Sequence, residues 1–397
     1  MGRYVGTVVR GIRIPIVRTG DDLENIVVDS ILKAANSGGF AICDKDVVGI
    51  TESVIARTQG NYATVDAIAT DLKKKFGSDS LGIVFPILSR NRFAILLRAI
   101  ARSTAHVTIQ FSYPSDEVGN QLIEQEILDE KNINPWSDHL TESRFRELFG
   151  IRPHPFTGID YVSYYRSIVE EEGTACTILF SNQPQTILEH TQKVLVCDIH
   201  TRIRTKILLK NRGVKTVYSL DEILSAPIDG SGYNPEFGLL GSNKATEETV
   251  KLFPRDCQPF VERIQEILLE KTGKRVEVMV YGDGAFKDPV GKIWELADPV
   301  VSPAYTSGLE GTPNEVKIKY LADNLFASLE GQKLNEAIVR QIHDKNGDLK
   351  GSMESQGTTP RRLTDLIGSL CDLTSGSGDK GTPVVHIQGY FDNFSSR

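Results

Sequence analysis

Two spacings of apolar residues organise this chain. One repeats every second residue and marks strands; the other repeats about every 3.6 residues and marks helices. Residues 4–9 alternate and predict a strand. After Gly20, residues Leu23, Ile26, Val27 and Ile31 recur at helical spacing, with Asp21 and Asp22 at the start and Ser37-Gly38-Gly39 at the end. Residues 46–50 form a short apolar run that predicts a buried strand, and residues 53–56 continue past it. The turn-rich Thr58-Gln59-Gly60-Asn61 breaks that run.

Residues 62–230 carry weaker signals. Residues 83–87 and 107–111 predict strands, 93–101 a buried helix, and 120–130 an acidic helix. Residues 194–197 and 207–209 are short apolar runs. Ser219, with Glu222 three residues on, predicts a capping box. The C-terminal half is clearer. Phe260, Val261, Ile264, Ile267 and Leu268 share one face of a helix over 258–271, which Thr272-Gly273 ends. Residues 276–281 predict a strand that runs straight into Gly282-Asp283-Gly284. Residues 315–320 alternate and predict a half-exposed strand, followed by a helix over 321–330. Strands and helices in irregular order predict an α+β fold of mixed sheets with packed helices, rather than a regular parallel α/β sheet.

Composition narrows the class without naming it. The 397 residues are 40% hydrophobic and 24% charged, which fits a soluble protein with two or three lobes. Lys plus Arg is 45 and Asp plus Glu is 52, a net charge of −7, so nucleic acid is a poor partner. The five cysteines are scattered with no Cys-x-x-Cys pair, which argues against a zinc site or a disulfide framework and for reduced thiols in the cytoplasm. No apolar run approaches the roughly 18 residues that span a bilayer. The first residues lack the apolar core of a signal peptide.

Several clusters carry candidate chemistry, each with a plainer reading beside it. The predicted strand 276–281 delivers Asp283 between two glycines, where a carboxylate suits Mg2+ or Mn2+, and Asp288 is a candidate second ligand. The plainer reading is a turn in which Asp283 bonds nearby amides. Residues 229–244 form a loop rich in Gly, Ser, Asn and Asp that suits phosphate, or is simply a surface loop. Arg57, just beyond the strand at 46–50, is either a phosphate clamp or an exposed arginine. Arg90, Arg92, Arg98 and Arg102 form one basic run and residues 200–206 another; each is an anion site or a solvated face. The Gly- and Ser-rich residues 375–381 suit phosphate in composition, or serve as a connector.

Three blocks, in order, resemble the coenzyme F420-0:L-glutamate ligases. The best runs from Gly238 to Trp294: Ser242-Asn243, Leu252-Phe253-Pro254-Arg255-Asp256, Glu270-Lys271-Thr272-Gly273, and Val280-Tyr281-Gly282-Asp283 each match a family motif. Gly11 to Val17 resembles the family's first nucleotide-contacting strand and turn, and Asp46 to Gly60 its next block, with Arg57 where the family has Lys. The third runs from Leu321-Ala322-Asp323-Asn324-Leu325 to Glu330-Gly331-Gln332. The resemblance implies an α+β intertwined homodimer. It implies that a nucleotide, GTP or ATP, phosphorylates an acceptor carboxylate, F420-0 or a relative, and that the amine of L-glutamate attacks the acyl phosphate. Mg2+ or Mn2+, with K+ as a further ion, would be the metals.

Carried over residue by residue, the resemblance makes Asp283 and Arg57 catalytic. It places Ile14, Pro15, Thr51, Glu52, Arg57, Ser242 and Asn243 at the nucleotide. Metal would fall to Asp283 and Gln332. Leu240 stands where the family has a metal-binding Asp, so Asp229 or Glu236 would substitute; Gly284 and Ser53 replace a Thr and a Lys. The implied divisions are 1–61, a nucleotide-site segment; 62–230, an enlarged middle region; 231–344, the ligase core; and 345–397, an extension. The enlarged middle motivates an alternative acceptor such as folate, and Leu240 and Gly284 motivate a homologue that binds nucleotide without catalysis.

Overall fold

The computed structural model describes residues 4–284, 297–345, 347–359, 361–375 and 378–396. From the N-terminus the order is β1 (Val8–Ile12), α1 (Leu23–Gly38), β2 (Val47–Thr51), α2 (Glu52–Thr58), β3 (Tyr62–Thr64) and α3 (Val65–Phe76). The middle of the chain gives β4 (Leu81–Val84), α4 (Phe93–Ser103), β5 (His106–Phe111), α5 (Gln125–Glu130), β6 (Leu140–Thr141), α6 (Glu142–Phe149), α7 (Tyr161–Glu171), β7 (Ala175–Phe180), β8 (Lys193–Val196), α8 (Arg202–Asn211) and β9 (Thr216–Ser219). The remainder gives β10 (Asn243–Lys244), β11 (Thr249–Lys251), α9 (Cys257–Thr272), β12 (Glu277–Tyr281), β13 (Ala304–Tyr305), α10 (Ile318–Tyr320), α11 (Gly331–Asp344), α12 (Leu363–Thr374) and β14 (Val384–Gln388).

The fold is α+β, with mixed sheets and packed helices. One sheet runs β1-β14-β2-β12-β13, with β2 and β12 parallel and the other pairs antiparallel. Its central strands β2 and β12 are buried on both faces, which is why they read as continuous apolar runs. Val27, Val28 and Ile31 of α1 and Val261, Ile264 and Leu268 of α9 cover one face. Ile367 and Cys371 of α12 cover the other, against Val47, Met279, Val385 and Ile387. Helix α1 is capped as its sequence predicts: Asp22 accepts from the Asn25 amide, and Gly39 closes the end in the left-handed region.

The middle region holds a second sheet, ordered β6-β7-β5-β4-β8-β9 and parallel except at the β6 edge. Strands added first to one side of β4 and then to the other make a doubly wound sheet, and its direction of winding reverses between β4 and β8. Ile83 and Leu195 face the core that includes α3, α4 and α7, while Val84, Val194 and Val196 face α8. A small sheet, β10-β11-β3, lies where the chain enters and leaves this lobe.

Several local expectations are corrected. The middle region is a parallel α/β sheet. Residues 207–209 lie inside α8, and the helix expected over 120–130 forms only from Gln125, because the amides of Leu122 and Ile123 bond the Pro114 carbonyl instead. Residues 315–320 do not pair as a strand; Val316 and Tyr320 pack instead on a cluster with Leu321, Ile338 and Ile342. The helix expected over 321–330 is a single wide turn over Leu321–Leu325, and α11 starts at Gly331. None of the described helices is long and apolar enough to cross a membrane.

The contact between the first sheet and α12 leaves no room at Gly49. A Cβ there would stand 2.5 Å from Cys371 Sγ. Gly49→Ala should cost about 1–3 kcal/mol through overpacking. A lowered denaturant midpoint checks this; an unchanged midpoint would show that α12 gives way freely.

Candidate active site

The parallel register of β2 and β12 sets Thr51 beside Tyr281. Both strands therefore deliver their next residues, Glu52 and Gly282-Asp283, to the same edge. The loop that follows β4 faces this edge from the second lobe. Between them lies a cleft of about 1750 Å³. The first lobe lines it with Arg18, Glu52, Arg57, Asp283, Asp298 and Asp372, and the second with Arg90, Arg92, Tyr161 and Tyr164. Asn243 and Lys251 come from the small sheet.

Two charge centres dominate the cleft. Lys251 Nζ donates to both Glu52 oxygens, at 2.9 and 3.2 Å, and to Ser53 Oγ at 2.8 Å. Glu52 is buried, which pushes its carboxyl up from 4.5; Lys251 opposes the shift and nearby Asp298 adds to it. The second centre is Arg92. Its Nη1 donates to Asp298 Oδ1 at 2.7 Å and its Nη2 to Asp283 Oδ2 at 2.6 Å. Burial weakens the Arg92 charge, but Asp298 and Asp283 more than offset this and hold the guanidinium protonated. Asp298 Oδ2 also accepts the Asp283 amide at 2.8 Å. Asp372 accepts the Gly284 amide at 3.0 Å, and burial raises its carboxyl.

The two glycines flanking Asp283 have a different use from the one expected. A Cβ on Gly282 would run into the Asp298 carboxylate, and one on Gly284 would meet Ser369 Cα at 2.8 Å. They admit the protein's own Asp298 and α12, not only a ligand.

Of the residues singled out from sequence, Thr51, Glu52, Arg57, Asn243 and Asp283 come together at the cleft. Arg57 is exposed there, anchored by its Nε to the Val17 carbonyl at 2.7 Å. Ile14 is half-buried against the core under α1 and Pro15 is exposed; neither lines the cleft, although Arg18 and Thr19 beyond them do. Ser242 is buried, out of the lining. Leu240 is a core residue. Asp229 lines a separate small pocket beside β3, and Glu236 is exposed within the loop folded by Asn234. Gln332 stands apart on α11, donating to Glu336. Asp288 falls outside the described residues, as do parts of 375–381.

Sequence reasoning missed Lys251, Asp298 and Asp372. Lys251 carried a signal: it interrupts the apolar run Val250-Lys251-Leu252-Phe253, and a lysine so placed needs a buried partner. Asp298 and Asp372 carried none, since their partners are far away in sequence.

Among the described residues, the carboxylates of the cleft do not fit a resident divalent ion. Asp283 and Asp298 are both bonded to Arg92, Glu52 to Lys251, and Asp372 to a backbone amide. Among the described residues no three His, Cys, Asp or Glu side chains are placed to hold a metal.

Breaking the Lys251–Glu52 pair should be expensive, because it strands a buried carboxylate. Lys251→Met should cost about 3–5 kcal/mol, and Lys251→Met with Glu52→Gln should recover most of the loss. In the single variant Glu52 keeps a proton that the unfolded chain releases near 4.5, so stability should fall as pH rises above that value. Denaturant unfolding from pH 5 to 8 checks both; a single variant as stable as the double would exclude the pair from the core.

No curated protein matches the chain. The profile of the F420-0:Gamma-glutamyl ligase family matches residues 11–389 of 397, which takes in both lobes and every side chain named at the cleft, and the chain belongs to that family.

Proposed function

We propose that the cleft joins L-glutamate to the carboxylate of F420-0, or of a related acceptor, through an amide bond at the expense of a nucleoside triphosphate, GTP or ATP. Membership in a ligase family supports amide formation. The observation that carries the rest is the division of charge in one cleft. Arg18, Arg57 and Arg90 offer cations to a polyphosphate, while Glu52, Asp283, Asp298 and Asp372 make the facing side of the cleft acidic, which favours an ammonium there.

In this reading an acceptor carboxylate oxygen attacks the γ-phosphorus, and the bond from that phosphorus to the β-phosphate oxygen breaks. The glutamate nitrogen then attacks the acyl carbon, phosphate leaves, and the nitrogen gives up a proton. Arg57, held at its Nε by Val17, keeps its outer guanidinium nitrogens for phosphate. Glu52, buried and with its carboxyl raised, is suited to take a proton from the ammonium. Positioning and electrostatic stabilisation do most of the work in such phosphoryl transfers. A divalent ion is given no step, because Arg92 holds the carboxylates it would need.

The test is glutamate-dependent release of phosphate from GTP or ATP, with the glutamylated acceptor identified by mass spectrometry. Release with folate but not F420-0 would change the acceptor. Nucleotide binding with no turnover on either would leave a binding protein and overturn the ligase reading. Arg57→Ala should weaken nucleotide binding by about 1.5–3 kcal/mol and leave glutamate binding nearly unchanged, as read by calorimetric titration. Equal nucleotide affinity in the variant would remove Arg57 from the site. We also propose the family's homodimer for this chain; a monomeric mass by light scattering at micromolar concentration would refute it.

A further inference from the structure

We propose that Arg92 is the resident cation of the acid cluster, and that Arg92 and a divalent cation exclude one another there. The guanidinium is a planar fork with one nitrogen on each of two aspartates, Asp298 and Asp283. Both Asp298 oxygens are engaged, Oδ1 by Arg92 and Oδ2 by the Asp283 amide, and its side chain is 2% exposed. A Mg2+ or Mn2+ ion needs carboxylate oxygens at about 2.0–2.6 Å. It would compete for the lone pairs the guanidinium occupies, and its charge would repel a group that does not deprotonate. Arg92 also bears, more weakly, on Glu52 and Asp372, so its charge is felt by all four carboxylates.

Arg92 reaches the cluster from the other lobe. It ends the loop after β4, whereas Asp283 and Asp298 belong to the lobe of the first sheet. The loop is held in place by the Asn91 carbonyl, which accepts the Lys244 amide at 2.6 Å, and by Ser89 Oγ, which accepts the Arg92 amide at 3.2 Å. A divalent cation can therefore take the two aspartates only if the Arg92 guanidinium withdraws. The acid pair is thus closed to metal while the lobes are joined through Arg92, and open to it when they are not.

This goes beyond the ligase reading and does not depend on it, because the test reads metal alone. The free Mn2+ signal in electron paramagnetic resonance gives the affinity of the full chain without nucleotide. Arg92→Met should bind Mn2+ at least tenfold more tightly than the unaltered protein. Arg92→Lys, which presents a single point charge, should fall between them. Adding Asp283→Asn to Arg92→Met should abolish the gain, which separates a new site from general loosening. Tight Mn2+ binding by the unaltered protein, equal to that of Arg92→Met, would overturn the proposal. So would a variant with no gain. If Arg92→Met fails to fold, Arg92→Lys alone decides: its affinity must exceed that of the unaltered protein.

Discussion

The parallel pairing of β2 with β12 is the constraint on which the rest of the structure depends. These strands lie far apart in the chain, yet their in-register pairing puts Glu52 and Asp283 at one edge. A parallel pair needs a long crossover between its strands. Here that crossover contains an entire second lobe, which departs through β3 and returns through β11. Because β3 and β11 pair with each other, the lobe is tied at its root beside the strand ends. Asn61 reinforces the junction, donating to the Phe253 carbonyl at 2.8 Å and accepting the Tyr233 amide at 3.0 Å.

The cost of this arrangement is a crowd of carboxylates, with Glu52 and Asp298 buried. Each finds a donor: Glu52 takes Lys251 from the small sheet, Asp298 and Asp283 share an arginine from the second lobe, and Asp372 takes a backbone amide. Both of the charged donors come from outside the first sheet's lobe. The cleft is therefore a joint product of two lobes, in its electrostatics as much as in its shape.

What was legible in sequence was local. The cap at Asp22, the box of Ser219 with Glu222, and the strand running into Gly282-Asp283 all formed as read, because each signal lies within a few residues of its effect. The second sheet was legible only in part: strands were read at residues 83–87 and 107–111, where β4 and β5 lie, but not the parallel order that joins them. The apolar run at 194–197, which gives β8, is so short that it carries no periodicity to set it apart from buried helix. Residues 315–320 misled in the opposite way: alternation marks a strand only where a neighbour accepts its hydrogen bonds. At the cleft, block resemblance brought Thr51, Arg57, Asn243 and Asp283 together. It missed Lys251 and Asp298, whose meaning lies in contacts across the fold.

Strand β14 gives the first sheet a direction in time. It lies between β1 and β2, and β1 pairs with no other strand of its sheet. On the ribosome, β1 emerges first and must wait for β14, which follows every other strand of the described chain. The second lobe has its six strands within residues 81–219 and needs nothing synthesised later to complete its sheet. During synthesis, therefore, the inserted lobe is the part positioned to fold early, and the older-emerging N-terminal segment is the part that is kept open longest.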